Sequence, residues 1–218
     1  MKLLHIIASP RIEKSNTLRV SAAFLDELDA TVPDLEVETL DLFAESLPGL
    51  AGANIDAKYS LMAGAPVDPT HADSWERIEH TIERFLAADA YLISTPLWNL
   101  GTPYALKYYI DCIVQPGYLF RYNEQGYPVP LVHDRKMVVV TSSGSDYSPG
   151  SPLQALNFQE PYLRAIFGFV GITDITFVHG HAMDASPTHR ADGIASAIDE
   201  ARVVASSEAW RDGDVEVA

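Results

Sequence analysis

Three short stretches carry the polar and aromatic groups from which a binding site can be built. In SPRIEKSNT, residues 9–17, Ser9, Ser15, Asn16 and Thr17 offer hydroxyls and an amide just before a helical pattern, with Arg11 alongside. Hydroxyls joined to the free N–H groups at the positive end of a helix suit a phosphate monoester. Plain helix capping by Ser15 or Asn16 leaves the same trace, and the residues alone do not separate the two. In PLWNLGTP, residues 96–103, Leu97, Trp98, Asn99 and Leu100 are framed by Pro96 and Pro103, and Gly101 permits close backbone approach. Trp98 presents a flat surface, and Asn99 and the neighbouring amides can hydrogen-bond the edge of a heteroaromatic ring. The alternative is that Trp98 is a core residue. In TSSGSDYSPGSP, residues 141–152, Ser142, Ser143, Gly144 and Ser145 repeat the small-polar theme, with Asp146 and Tyr147 following.

The surrounding periodicity says what must position these groups. KLLHIIA (2–8), EVETLDL (36–42), AYLIS (90–94), KMVVVTSS (136–143) and ITDITFVH (172–179) read as five strands, mostly the continuous apolar runs of a parallel sheet buried on both faces. Between them lie helical patterns. One puts Leu18, Ala22, Leu25 and Leu28 on one stripe, and another uses Trp75, Ile78, Ile82 and Phe85, opened by Asp73 and Ser74 as caps. Residues 103–114 are a helix with Pro103 in its first turn, and residues 160–171 are a helix ended by Gly171. A last helix runs from about Thr188 to Trp210. YLFRYNEQGYPVPL (118–131) reads as a hairpin turning at Asn123–Gly126. Residues 43–72 show no period and read as a long loop.

Alternating strands and helices predict an α/β fold, a flavodoxin-like doubly wound five-stranded parallel sheet of order 2-1-3-4-5 with helices on both faces, as a single domain over residues 1–218. Such sheets bind ligands beyond the carboxyl ends of their strands, where the order reverses. The three stretches above follow strands one, three and four, which is the reason to read them as one site. A phosphate seat plus two loops edging a flat ring describes a mononucleotide with a tricyclic head, in this topology FMN.

Composition narrows the alternatives. The 218 residues are 47% apolar and 21% charged, an ordinary globular balance, and no apolar run is long enough for a membrane span. The net charge of −15 disfavours nucleic acid and anionic membranes as partners. MKLLHIIASPR reads as a first strand rather than a signal peptide, so a soluble, cytoplasmic protein is expected. Cys112, the one cysteine, falls in an apolar helix and reads as a buried small hydrophobe, which excludes a thiolate zinc cage. His179-Gly180-His181 lacks a third ligand and reads as a strand-end pair facing opposite sides; no metal site is expected.

At these residues the chain resembles the FMN-dependent NADH-azoreductase family, flavodoxin-like NAD(P)H:quinone and azo-compound reductases, over roughly residues 2–180. PLWNLGTPYALKYYID (96–111) is similar to that family's P-M-Y-N-F-x-x-P-x-x-L-K-x-Y-x-D, GYLFRY (117–122) to its G-x-T-F-R-Y, TSSGS (141–145) to its T-S-R-G-G, and FGFVGITD (167–174) to its L-G-F-I-G-I-T-D. The resemblance implies FMN contacts at Ser9, Ser15, Asn16 and Thr17 for the phosphate, at Leu97, Trp98, Asn99 and Leu100 along the ring, and at Ser142, Ser143, Gly144 and Ser145 at its far edge. It implies Phe120 and Tyr122 as substrate-pocket walls, NADH or NADPH as co-substrate, quinones and azo compounds as acceptors, and a homodimer with shared active sites. Both substrates would use one slot in turn, with ping-pong kinetics, and no protein residue is implied as a catalytic nucleophile. Trp98, Leu100, Ser143 and Ser145 depart from the family's Tyr, Phe, Arg and Gly. The loss of the arginine leaves the choice between NADH and NADPH open. A flavodoxin-type electron carrier, which binds FMN without turnover of its own, is the competing reading. A serine hydrolase is disfavoured by the lack of a G-x-S-x-G elbow.

Overall fold

The computed structural model describes residues 1–211. Its strands are β1 (Lys2–Ile7), β2 (Glu36–Asp41), β3 (Ala90–Pro96), β4 (Phe120–Tyr122), β5 (Pro128–Pro130), β6 (Lys136–Ser142) and β7 (Asp174–Gly180). Its helices are α1 (Asn16–Thr31), α2 (Ala53–Met62), α3 (Ala72–Leu86), α4 (Tyr104–Ile113), α5 (Gln159–Val170), α6 (Pro187–Ala205) and α7 (Glu208–Arg211). The main sheet is parallel in the order β2-β1-β3-β6-β7, which is the expected 2-1-3-4-5 once the antiparallel β4–β5 hairpin is set aside. The one-domain reading extends to residue 218, and residues 212–218 lie outside the described residues.

Burial on both faces follows from the apolar runs. Leu3, Leu92, Val138, Val140 and Val178 pack against Phe24 and Leu28 of α1 and Ala197 and Ala201 of α6. Leu4, Ile6, Tyr91, Ile93 and Val139 pack against α3, α4 and α5, where Trp75, Ile78, Ile82 and Phe85 form the expected stripe. Cys112 is buried as expected, and burial pushes its thiol up to about 12. No helix among the described residues is long and apolar enough to cross a membrane.

Four local expectations are corrected. The segment 43–72 is not one loop, since α2 and a short turn at Pro69–His71 lie in it; α2 was missed because its apolar residues follow no helical period. The helix over Trp75 starts at Ala72, so Asp73 and Ser74 lie inside its first turn rather than capping it. Pro103 sits just before α4 rather than in it. The α1 stripe is also rotated. Leu28 is buried, but Ala22 is exposed and Leu18 and Leu25 are only half-buried, while Thr17, Val20, Ser21, Ala23 and Phe24 face the sheet.

That inward polar face has partners. Ser21 Oγ donates to the Thr17 carbonyl at 3.1 Å, Ser94 Oγ lies 2.6 Å from Ser21 Oγ, and His5 Nε2 lies 2.7 Å from Ser94 Oγ. Because Ser21 has one proton and gives it to Thr17, Ser94 donates to Ser21 and the neutral Nε2–H tautomer of His5 donates to Ser94. Burial depresses the His5 pKa to about 4. The unfolded chain therefore takes up a proton near pH 6.5 that the folded chain refuses. Stability is full above that pH and falls as the pH drops toward 4, by up to about 3 kcal/mol. The half-buried His181 is shifted the same way by burial and adds to the slope. Denaturant melts at pH 7 and pH 5 are expected to show the loss, and His5→Gln to remove most of it; a wild-type midpoint independent of pH in that window contradicts the burial argument.

Candidate functional site

The carboxyl ends of β1, β3 and β6 open into one cavity of about 150 Å³. Ser9 and Ser15 line it from the β1–α1 loop, Asn16 and Thr17 from the first turn of α1, Leu97 and Trp98 from the loop after β3, Ser142 from the end of β6, and Ser143 and Gly144 from the loop that follows. Nine of the expected residues thus meet at one place, although they come from segments far apart in the chain.

The phosphate-type wall is built by α1. Ser15 is its N-cap, accepting from the Leu18 N–H at 3.2 Å, and its Oγ lies 2.8 Å from Ser9 Oγ. Capping and site-lining are therefore both true of Ser15. The first-turn amides of Asn16 and Thr17 have no carbonyl one turn earlier to bond, so they remain as donors beside the hydroxyls. Thr17 Oγ1 lies 2.6 Å from Ser142 Oγ, tying the helix end to the end of β6. Arg11 also lines the cavity. Hydroxyls, free amides and a guanidinium form a donor set for an oxyanion.

The loop after β3 is a tight turn. Trp98 N–H donates to the Gly101 carbonyl at 3.0 Å and Gly101 N–H to the Trp98 carbonyl at 2.9 Å, with Asn99 at φ 47° and Leu100 at φ 70° between them. Two successive positive φ values are the signature of a type I′ turn, where the second position ordinarily prefers glycine. Among the described residues neither the Asn99 nor the Leu100 N–H finds an acceptor. Trp98 is 36% exposed, with its ring 6.2 Å from Phe43, so it is a wall rather than core. Asn99 faces an adjoining shallow hollow with Tyr104 and Phe158, and Leu100 lines neither space.

Three further expected residues stand apart from the cavity. Ser145 is exposed, and its carbonyl accepts from Ser143 Oγ at 2.8 Å and Ala182 N–H at 3.1 Å, so it shapes the loop. Phe120 is buried against Phe169, with ring centroids 4.8 Å apart, and Tyr122 is 42% exposed; both sit on the β4–β5 hairpin and line neither space in this chain. Sequence reasoning missed Met183 and Asp184, which reach the cavity from the loop after β7. Met183 and Asp184 N–H donate to the Ser143 and Gly144 carbonyls at 2.9 and 3.0 Å. The polar loop at the end of a fifth strand was their one signal, and it looks like any surface turn.

His179 and His181 are corrected. They lie on the same side, with rings parallel and centroids 5.0 Å apart, His179 within β7 and His181 one residue past its end. His179 Nε2 is 3.2 Å from Glu160 Oε2, and they border a separate hollow with Tyr147. No group of three or more metal-ligating side chains comes together among the described residues. Asp146 is exposed and accepts from the Ser148 N–H at 2.9 Å, a local turn contact.

The family model for the flavodoxin-like fold matches residues 1–204. An FMN-dependent NADH:quinone oxidoreductase from Bradyrhizobium diazoefficiens is 39% identical over 177 residues, covering 81% of this chain and 85% of that one. Another from Ruegeria pomeroyi is 40% identical over 178 residues, covering 81% and 87%. Among solved structures, an FMN-dependent NADH-azoreductase from Bacillus anthracis in complex with FMN has a TM-score of 0.83 at 27% identity, covering 94% of this chain and 97% of that one. With the sheet order, the three-loop cavity and these likenesses in agreement, the chain belongs to the flavodoxin-like family of FMN-dependent NADH:quinone oxidoreductases.

Proposed function

We propose that this chain is an FMN-dependent NADH:quinone oxidoreductase that also reduces azo compounds. The observation that carries the reading is the single cavity in which the α1 amides and the hydroxyls of Ser9, Ser15 and Thr17 meet the loops at Leu97–Trp98 and Ser142–Gly144. The residues fit the cofactor: the α1 end supplies donors for a phosphate, and the unpaired Asn99 amide, in the hollow that shares Trp98 with the cavity, would supply a donor for a heteroaromatic edge. When bound, FMN supplies two-electron chemistry between a reduced nicotinamide and a quinone or azo compound. The chain's part is to bind, orient and keep water out. Ser15 and Thr17 hold the phosphate end, Trp98 gives the flat wall, and the Ser143–Gly144 loop, pinned by Met183 and Asp184, closes the far side.

The hairpin supports a homodimer. Phe120 and Tyr122 lie off the cavity of their own chain, whereas the hollow beside Trp98 and Asn99 is lined by exposed Tyr104 and Phe158. A second copy bringing its hairpin to that hollow would complete the pocket walls. On this reading residues 1–218 act as one unit in the cytoplasm, where NADH is at hand.

The test is to load purified protein with FMN and follow NADH consumption with a benzoquinone. Turnover without a partner protein and parallel double-reciprocal lines are expected; reduction only through an added reductase protein would make it an electron carrier instead. Trp98→Ala is expected to weaken FMN binding by about tenfold and to shift the bound flavin's visible spectrum. Unchanged affinity and spectrum would remove Trp98 from the site.

A further inference from the structure

Gln159 opens α5, a place where a polar side chain normally meets water, yet it is 1% exposed. Its Oε1 accepts from Thr141 Oγ1 at 2.5 Å. Its Nε2 donates to the Pro96 carbonyl at 2.9 Å and reaches the Gly101 carbonyl at 3.5 Å. Carbonyl oxygens only accept, so the amide cannot be reversed without setting oxygen against oxygen. One buried side chain thus touches the residue before the Ser142–Gly144 loop and both ends of the Leu97–Leu100 loop.

The second loop needs such support. Asn99 and Leu100 hold consecutive positive φ values, and a leucine in that conformation persists only where its surroundings over-determine it. Beside Gln159, the Phe158 N–H donates to the Leu100 carbonyl at 3.0 Å, so the start of α5 grips the turn at Leu100 as well as at Gly101. A leucine or methionine at 159 would fill the same space but would leave the Thr141 hydroxyl and the Pro96 carbonyl without their partner.

We infer that Gln159 is a positioning residue: its buried amide sets the separation of the two loops that edge the flavin and holds the Asn99–Leu100 turn in its strained form. The inference rests on the flavin reading above, and three variants separate the two. Gln159→Leu, Gln159→Glu and Thr141→Val are compared with wild type for FMN affinity by fluorescence quenching, for visible circular dichroism of the bound flavin, and for amide hydrogen exchange in the apoprotein.

Wild type is expected to bind FMN. Gln159→Leu is expected to bind it at least about tenfold more weakly, with altered visible dichroism, and to exchange faster at the Trp98 and Gly101 amides but not across β1 and β2. Gln159→Glu adds a signature that mere packing would not produce. Relative to wild type at the same pH it should bind poorly at pH 8 and recover toward pH 6, because a buried carboxyl that regains its proton can again donate to Pro96. Thr141→Val, which removes only the bond to Oε1, should show the same changes at smaller size and decides the matter if Gln159→Leu does not fold.

Equal affinity, dichroism and exchange in the folded variants would overturn the inference, as would equal losses in the leucine and glutamate variants at every pH. Failure of wild type to take FMN would instead overturn the flavin reading, and the exchange rates at Trp98 and Gly101 would then decide the role of Gln159 alone.

Discussion

Ser15→Asp is expected to abolish FMN retention while leaving the apoprotein as stable as before. Aspartate caps a helix as well as serine does and is favoured at its positive end, so the Leu18 amide keeps an acceptor. The new carboxylate would, however, stand on the cavity wall beside Ser9, where the phosphate is to sit. At about 4 Å and an effective dielectric of about 20, each pair of like charges costs about 4 kcal/mol, enough to weaken binding by about a thousandfold. Flavin content after purification and a titration with FMN measure the loss, and a thermal melt of the apoprotein checks the cap. Ser15→Ala should behave in the opposite sense, losing about 1 kcal/mol of stability with a milder effect on FMN. If Ser15→Asp bound FMN as wild type does, Ser15 would be a cap and nothing more.

Gly171→Ala is expected to lower stability by about 3 kcal/mol, near 10 °C in melting temperature for a chain of this size. Gly171 ends α5 at φ 111°, a conformation that disfavours any Cβ, and a Cβ there would run into the Val132 carbonyl oxygen. The neighbouring Val132 N–H donates to the Val170 carbonyl at 3.0 Å, so the chain leaving the hairpin is hooked to the end of α5 at this point. Forcing the two apart should also loosen Phe120, which packs on Phe169 two residues back. Gly150→Ala is the control. Its φ is 85° but nothing lies within reach of a Cβ, so only the backbone cost of about 1 kcal/mol applies. Equal melting of Gly171→Ala and wild type would mean that the contact with Val132 relaxes freely.

Local pattern made much of this molecule legible. The Trp75–Phe85 stripe, the hairpin turning at Asn123–Gly126, the stop at Gly171 and the five strands all depend on residues within one turn or one strand of each other. The three loops of the cavity were legible for the same reason, because parallel strands fix which loops share a rim. Where local pattern misled, the cause was a distant partner. Thr17 and Ser21 are polar residues for which the local pattern names no partner, yet they are buried, because Ser142 at the end of β6 and Ser94 of β3 meet them. In α2 the helix forms on residues that carry no apolar period.

By itself, then, the order of the residues determined the doubly wound sheet, the rim on which a ligand would sit, and most of the side chains that line it. Only the folded chain decided that Ser145, Phe120 and Tyr122 stand off the cavity, that Met183 and Asp184 reach it, that His179 and His181 stack, and that Gln159 is buried between two loops. Periodicity is a property of neighbours along the chain, whereas a hydrogen bond such as that from Gln159 to Pro96 depends on where remote segments come to rest, and no local pattern carries that information.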